Sequence, residues 1–108
     1  MPVLEKTLIS TILSYLKSLP SCFCWKEHGG MYGTAGLPDI LCCIAGRFVA
    51  FEVKTETGKV TGLQKKTLRQ IQNAGGAAFV VRSLDEVKAI LRNLEEISRW
   101  LWREDAKK

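Results

Sequence analysis

Apolar side chains recur every three or four positions at the start of the chain, at Leu4, Leu8, Ile12, Tyr15, Leu16 and Leu19, and the pattern stops at Pro20. That spacing predicts an amphipathic helix over residues 3–19. The period then shortens. Cys22–Lys26 reads as a short strand, and residues 27–36, with four glycines in ten positions, read as a loop. Residues 39–44 and 47–54 read as two strands joined in a hairpin at Ala45-Gly46. A polar connection over residues 55–62 leads into Thr61-Gly62-Leu63-Gln64, a capping box that opens a helix ending before Gly75-Gly76. Ala77–Val81 is a short apolar strand. Ser83-Leu84-Asp85-Glu86 is a second capping box, and it starts a helix with Val87, Ile90, Leu91, Leu94 and Ile97 on one side. The predicted order is α-β-β-β-α-β-α. The strands are apolar on both faces, which calls for an α/β architecture: a central sheet with helices on either side.

Composition narrows this picture. A chain of 108 residues makes one small domain, over residues 1–108, with a single core. With 46% apolar and 25% charged residues it is ordinary for a soluble protein. No apolar run approaches the roughly 20 residues that span a bilayer, and residues 1–5 lack a basic stretch leading into an apolar one. No membrane association is expected, and the protein is expected to work inside a cell. Four cysteines lack the paired Cys-x-x-Cys spacing of a zinc site, and His28 is the single histidine. They read as reduced thiols serving as small buried hydrophobes. A net charge of +5 favours a polyanionic partner.

The hairpin carries the chemistry. A two-residue loop at Ala45-Gly46 pairs Ile44 with Arg47, and counting outward sets Asp39 opposite Glu52. Opposed residues share a face, about 4.5–5.5 Å apart at Cβ, and Lys54 joins them by the period of two. Two carboxylates facing each other destabilise a sheet, and a divalent cation between them removes the conflict. Hard oxygen donors suit magnesium or manganese. In the first helix, Glu5 falls near the middle of an apolar arc of roughly 180°. Either it needs a partner there, a metal or Lys54, or it frays into solvent in the first turn.

Gly36-Leu37-Pro38-Asp39, then Glu52-Val53-Lys54 thirteen residues after the aspartate, then Gln64 ten residues beyond Lys54, together resemble the VRR-NUC family (virus-type replication-repair nucleases) of the PD-(D/E)xK superfamily. The resemblance spans about residues 5–81. It implies a restriction-endonuclease-like fold, with a mixed sheet flanked by helices, and phosphodiester hydrolysis in DNA. It further implies that Asp39 and Glu52 hold Mg²⁺, or Mn²⁺ in its place, helped by the Val53 carbonyl. Glu5 looks like the first-helix acid that completes such sites in related junction resolvases. Lys54 would orient or deprotonate the attacking water, and Gln64 would position that water or a phosphate, unless it serves only its capping box. The related resolvases act as homodimers on branched DNA such as four-way junctions. Flaps, nicked or linear DNA are the alternative substrates, and a non-catalytic nucleic-acid-binding module is the alternative class.

Contacts to DNA have weaker signals. Lys59, Lys65, Lys66 and Arg69 surround the start of the second helix, where cations and free backbone N–H groups seat a phosphate; a solvated basic face is the other reading. Lys26, and Tyr32 in the glycine-rich loop, are further candidates, with His28 a less favoured one. No base-reading motif is visible, so recognition of backbone and shape is expected. Trp100 and Trp102 are too apolar for a frayed end and either cap the core or join a subunit interface.

Overall fold

Five consecutive side chains of one strand, from Val49 onward in Arg47–Val53, are buried although they alternate in direction. Such a strand has protein on both of its faces. The computed structural model describes residues 3–28 and 33–101. Its elements are α1 (Glu5–Lys17), β1 (Cys22–Lys26), β2 (Ile40–Ile44), β3 (Arg47–Val53), α2 (Gly62–Asn73), β4 (Ala77–Val81), α3 (Leu84–Asn93) and α4 (Glu95–Leu101). The four strands form a mixed sheet in the order β1-β2-β3-β4. The first two pairings are antiparallel and the third is parallel. Helix α2 makes the crossover that a parallel pair requires.

On one side of the sheet lies the larger core. Ile40, Cys42, Ile44, Val49, Phe51, Val53 and Val81 meet Leu8, Ile9, Ile12 and Leu16 of α1, Val87 and Leu91 of α3, and Ile97 and Leu101 of α4. Full burial of each large aliphatic or aromatic group contributes about 1.5–3 kcal/mol, so this layer dominates stability. On the other side Leu41, Ala50 and Ala78 meet Leu68 of α2, a much smaller cluster. The sheet is covered on both faces, but unequally. Cys24 and Cys42 are buried as expected, whereas Cys22 is only half-buried and Cys43 is exposed. The expectation for Cys43 fails because its side chain leaves the sheet on the α2 side, which is left partly open.

The helix ends obey the capping signals, with two corrections. Thr61 and Gln64 exchange both bonds of a capping box at α2. At α3 the Ser83 hydroxyl accepts from the Glu86 N–H, but the Glu86 carboxylate reaches the Arg82 N–H, one residue earlier than a box requires. The single helix expected after Ser83 is two. It breaks at Leu94, whose ψ of 87° is not helical. The Ser98 hydroxyl donates to the Leu91 and Arg92 carbonyls (2.6 and 2.8 Å), satisfying acceptors the broken helix leaves open. The break lets Ile97 and Leu101 fold back into the core.

Among the described residues no helix is long and apolar enough to cross a membrane.

Candidate active site

The turn between β2 and β3 sets the site from a distance. Ala45 and Gly46 have φ of 51° and 81°, the two left-handed residues of a two-residue hairpin turn that matches strand twist. The register that follows runs from Ile44↔Arg47 to Ile40↔Phe51. One step further, Asp39 stands opposite Glu52. Their alignment is fixed by a hydrogen bond: the Val53 N–H donates to Asp39 Oδ2 at 2.8 Å. On its other side Asp39 is tied to β1, its carbonyl accepting from the Glu27 N–H at 2.8 Å.

Side-chain alternation decides which layer sees the acids. Phe51 and Val53 enter the α1 core and Ala50 the α2 cluster, so Glu52 faces α2. Asp39 shares parity with Leu41 and faces the same way. Glu52 is 2% exposed, a carboxyl among apolar strands. Lys54 continues the pairing with β4 through its N–H to the Val81 carbonyl (3.0 Å). It is 9% exposed, and its Nζ lies 3.6 Å from Glu52 Oε2. The same oxygen accepts from Gln64 Nε2 at 3.2 Å. The Oε1 of Gln64 meanwhile accepts from the Thr61 N–H at 3.0 Å. One Gln64 side chain thus closes the helix cap with its oxygen and contacts Glu52 with its nitrogen.

Burial pushes the Glu52 carboxyl up to about 8, with the neighbouring Asp39 charge and a hydrogen bond to Asp39 acting in the same direction. The Lys54 ammonium pulls the other way without prevailing. An acid held protonated near neutrality beside a second acid is what a divalent cation would resolve. The donor set fits a hard ion. Among the described residues no third acid, histidine or cysteine joins the pair, but magnesium is commonly held by one or two carboxylates with water and substrate phosphate completing its shell.

Glu5 is not brought to this pair. Helix α1 packs on the opposite face of the sheet, and Glu5 lines a cavity of about 500 Å³ with Leu8, Thr55, Thr57, Arg82 and Leu84. Lys26 is likewise turned away, since it pairs with Ile40 and shares the α1-side parity. Lys59 is exposed in the connection before α2, and Lys65, Lys66 and Arg69 are exposed along α2, the helix that packs on the acid side of the sheet. His28 is exposed at the edge of the described region. Tyr32 and Trp102 lie outside the described residues.

Two further residues matter for the site: Arg82, which gave no signal in the sequence, and Gly36, which opens the Gly36-Leu37-Pro38-Asp39 motif but whose packing role the motif does not reveal. Arg82 Nη1 donates to the carbonyls of Thr55 (2.6 Å) and Gly58 (2.7 Å), clamping the connection that leaves Lys54. Gly36 has φ +78°, and a Cβ there would meet Leu63 Cγ at 2.7 Å and Thr67 Oγ1 at 2.9 Å. It lets the segment leading to Asp39 lie against α2. Gly36→Ala combines a disfavoured backbone with that crowding and is expected to cost about 2 kcal/mol, read as a lowered midpoint in urea unfolding.

A search with family models finds no match to the sequence, and a search of curated proteins finds none either. Solved structures do match. One, titled "VRR_NUC domain protein", superposes with a TM-score of 0.69 over 88% of this chain and 90% of its own, at 18% identity. Another, titled "VRR_NUC domain", gives a TM-score of 0.70 over 83% of this chain and 96% of its own, at 23% identity. At such identities the likeness speaks for architecture, and in architecture the chain is a VRR_NUC-type α/β fold.

Proposed function

We propose that the protein is a metal-dependent nuclease that hydrolyses phosphodiester bonds in DNA. The observation that carries the reading is a buried Glu52 set opposite Asp39, with Lys54 and Gln64 converging on one of its oxygens. A fold of the kind titled VRR_NUC supports it.

Asp39 and Glu52, with the Val53 carbonyl at the same strand end, are the residues that would hold Mg²⁺ or Mn²⁺. Such an ion supplies charge neutralisation at the phosphate oxygens and a lowered pKa for water. Everything else falls to the chain itself. The Lys54 ammonium, fixed by burial, lies beside the acids and stabilises negative charge growing on a phosphate seated there. Gln64 keeps its amide N–H on Glu52 because its carbonyl is spoken for by the helix cap. Lys65, Lys66 and Arg69 of α2, with Lys59 in the connection before it, form a basic rim suited to the phosphate backbone rather than to base edges. Lys26 and Tyr32 are assigned no part in this reading.

The substrate we assign is branched DNA, including four-way junctions, cut by a homodimer whose two sites match a two-fold symmetric branch. Support comes from the basic rim and the lack of a base-reading motif. The four free thiols fit a reducing, intracellular setting.

The test offers labelled junction, flap, nicked and linear duplexes to the purified protein with Mg²⁺, with Mn²⁺ and with chelator. Junction cleavage in either metal and none in chelator is the expected result. Cleavage confined to flaps or linear duplex would move the substrate while keeping the chemistry. Salt-sensitive binding to all four with no cleavage would replace the enzyme by a binding module.

A further inference from the structure

The α2 side of the sheet is only half covered. Helix α2 lies over β4 and the Ala50 end of β3 and reaches Leu41 of β2, so the open part is the outer strand β1 together with the row through Cys43 and Phe48. In register, Phe23, Cys43 and Phe48 make one row across this face, and Trp25, Leu41 and Ala50 the next. The row after that holds Glu27, Asp39 and Glu52. Phe23 is 71% exposed, Phe48 41% and Trp25 39%, although all three belong to a sheet. Phe23 and Trp25 lie with ring centroids 5.8 Å apart, and the Trp25 indole N–H is held by Glu27 Oε2 at 3.2 Å.

We propose that this open face is a stacking platform for unpaired bases of single-stranded DNA, delivering a strand to the acid pair in the neighbouring row. The inference rests on the nuclease reading for its direction, and three features carry it. Phe23 and Trp25 lie 5.8 Å apart and tilted at 48°, which leaves no slot for a base between them. Each ring therefore offers its solvent-facing side for a base to stack on, in consecutive rows about 6.7 Å apart along the strand. Exposed aromatics on an open sheet beside a basic rim are the means by which single strands are held without sequence reading. Lys65, Lys66 and Arg69 supply that rim from α2. Area argues against a second copy of the chain as the occupant. At 150–250 Å² per aromatic side chain, the exposed portions of the three rings total roughly 300 Å², well short of the about 800 Å² per partner that a stable interface buries.

The test measures fluorescence anisotropy of a labelled thymidine oligonucleotide of about twelve nucleotides, and of a duplex of equal length, in chelator so that nothing is cut. Phe23→Ala and Trp25→Ala are each expected to weaken single-strand binding about tenfold, to leave duplex binding within about twofold, and to unfold at the wild-type temperature. Trp25→Phe should recover most of the loss. Unchanged oligonucleotide affinity in both alanine variants overturns the platform. So does light scattering that finds a wild-type dimer turned monomeric by either change, which would give the face to a second copy. The two readings fail separately: ring-dependent binding by a wild type that cleaves nothing leaves the platform standing and removes the nuclease.

Discussion

Lys54→Met is expected to lower single-turnover DNA cleavage by about 10³-fold while the protein stays folded. Methionine keeps most of the volume of the lysine stem, so the packing beside β4 survives, and the strand's N–H to the Val81 carbonyl is untouched. What disappears is the ammonium 3.6 Å from Glu52. Removing one preorganised charge-stabilising group from an active site costs about 10²–10³ in rate, and a group that also handles the water proton adds to that. Asp39→Asn is the companion test. Its amide oxygen can still accept from the Val53 N–H, so the hairpin register holds, but the negative charge opposite Glu52 is gone. The same magnitude of loss is expected from it, with an unfolding midpoint close to that of the wild type. Retention of cleavage within tenfold of wild type by either protein would remove these residues from the chemistry.

The second large effect is on stability. Glu52 titrates near 4.5 in an unfolded chain and about 8 in the folded one. The folded state therefore holds the proton more tightly, and protonation favours folding. Below the unfolded value both states are protonated and the contribution is fully present. Between about 4.5 and 8 the unfolded chain alone loses its proton, and stability declines by about 1.4 kcal/mol per pH unit. Above 8 the contribution is gone. Over this window the loss attributable to Glu52 is on the order of 5 kcal/mol. Glu52→Gln keeps an N–H donor facing Asp39 and cannot ionise. Urea midpoints of the two proteins should coincide near pH 4.5, and the variant should be the more stable by that amount at pH 8. Adding Mg²⁺ at pH 8 should stabilise the wild type and leave the variant unmoved. A constant difference between the two proteins from pH 4.5 to 8 would mean that Glu52 is not held protonated by its surroundings.

Sequence and structure agree most closely where a strictly local rule was at work, although the box expected at Ser83 is left open because Glu86 reaches the Arg82 N–H instead. The pairing of Asp39 with Glu52 could be counted out from Ala45-Gly46, because a two-residue loop permits a single register and alternation then assigns every face. The capping box at Thr61 was equally legible, since it involves four consecutive residues. Disagreement begins where a neighbour distant in sequence takes part. The break at Leu94 depends on Ser98 reaching back to the Leu91 and Arg92 carbonyls, and the apolar period through Val87, Leu91, Leu94 and Ile97 runs on as though the helix were whole. Glu5 sits at a position of α1 that its wheel marks as inward, but inward for α1 means the sheet face opposite the acids, a fact of layer order rather than of periodicity. Cys43 reads as core from its apolar strand and is exposed because α2 is too narrow to cover four strands. The clamp from Arg82 to Thr55 and Gly58 spans more than twenty residues and leaves no trace in spacing. The double bonding of Gln64 was half visible: the cap could be read, and the contact with Glu52 needed the crossover.

That double bonding has a consequence for how the protein can move. One amide fastens the first turn of α2 at its carbonyl end and the Glu52 carboxyl at its nitrogen end. A ligand that displaces the amide from Glu52 frees it to leave Thr61 as well, and a fraying first turn withdraws a donor from the acid. Occupancy of the centre and order at the tip of a surface helix are thereby two faces of a single equilibrium, so hydrogen exchange at the Gln64 and Lys65 amides would report on the chemistry from outside it.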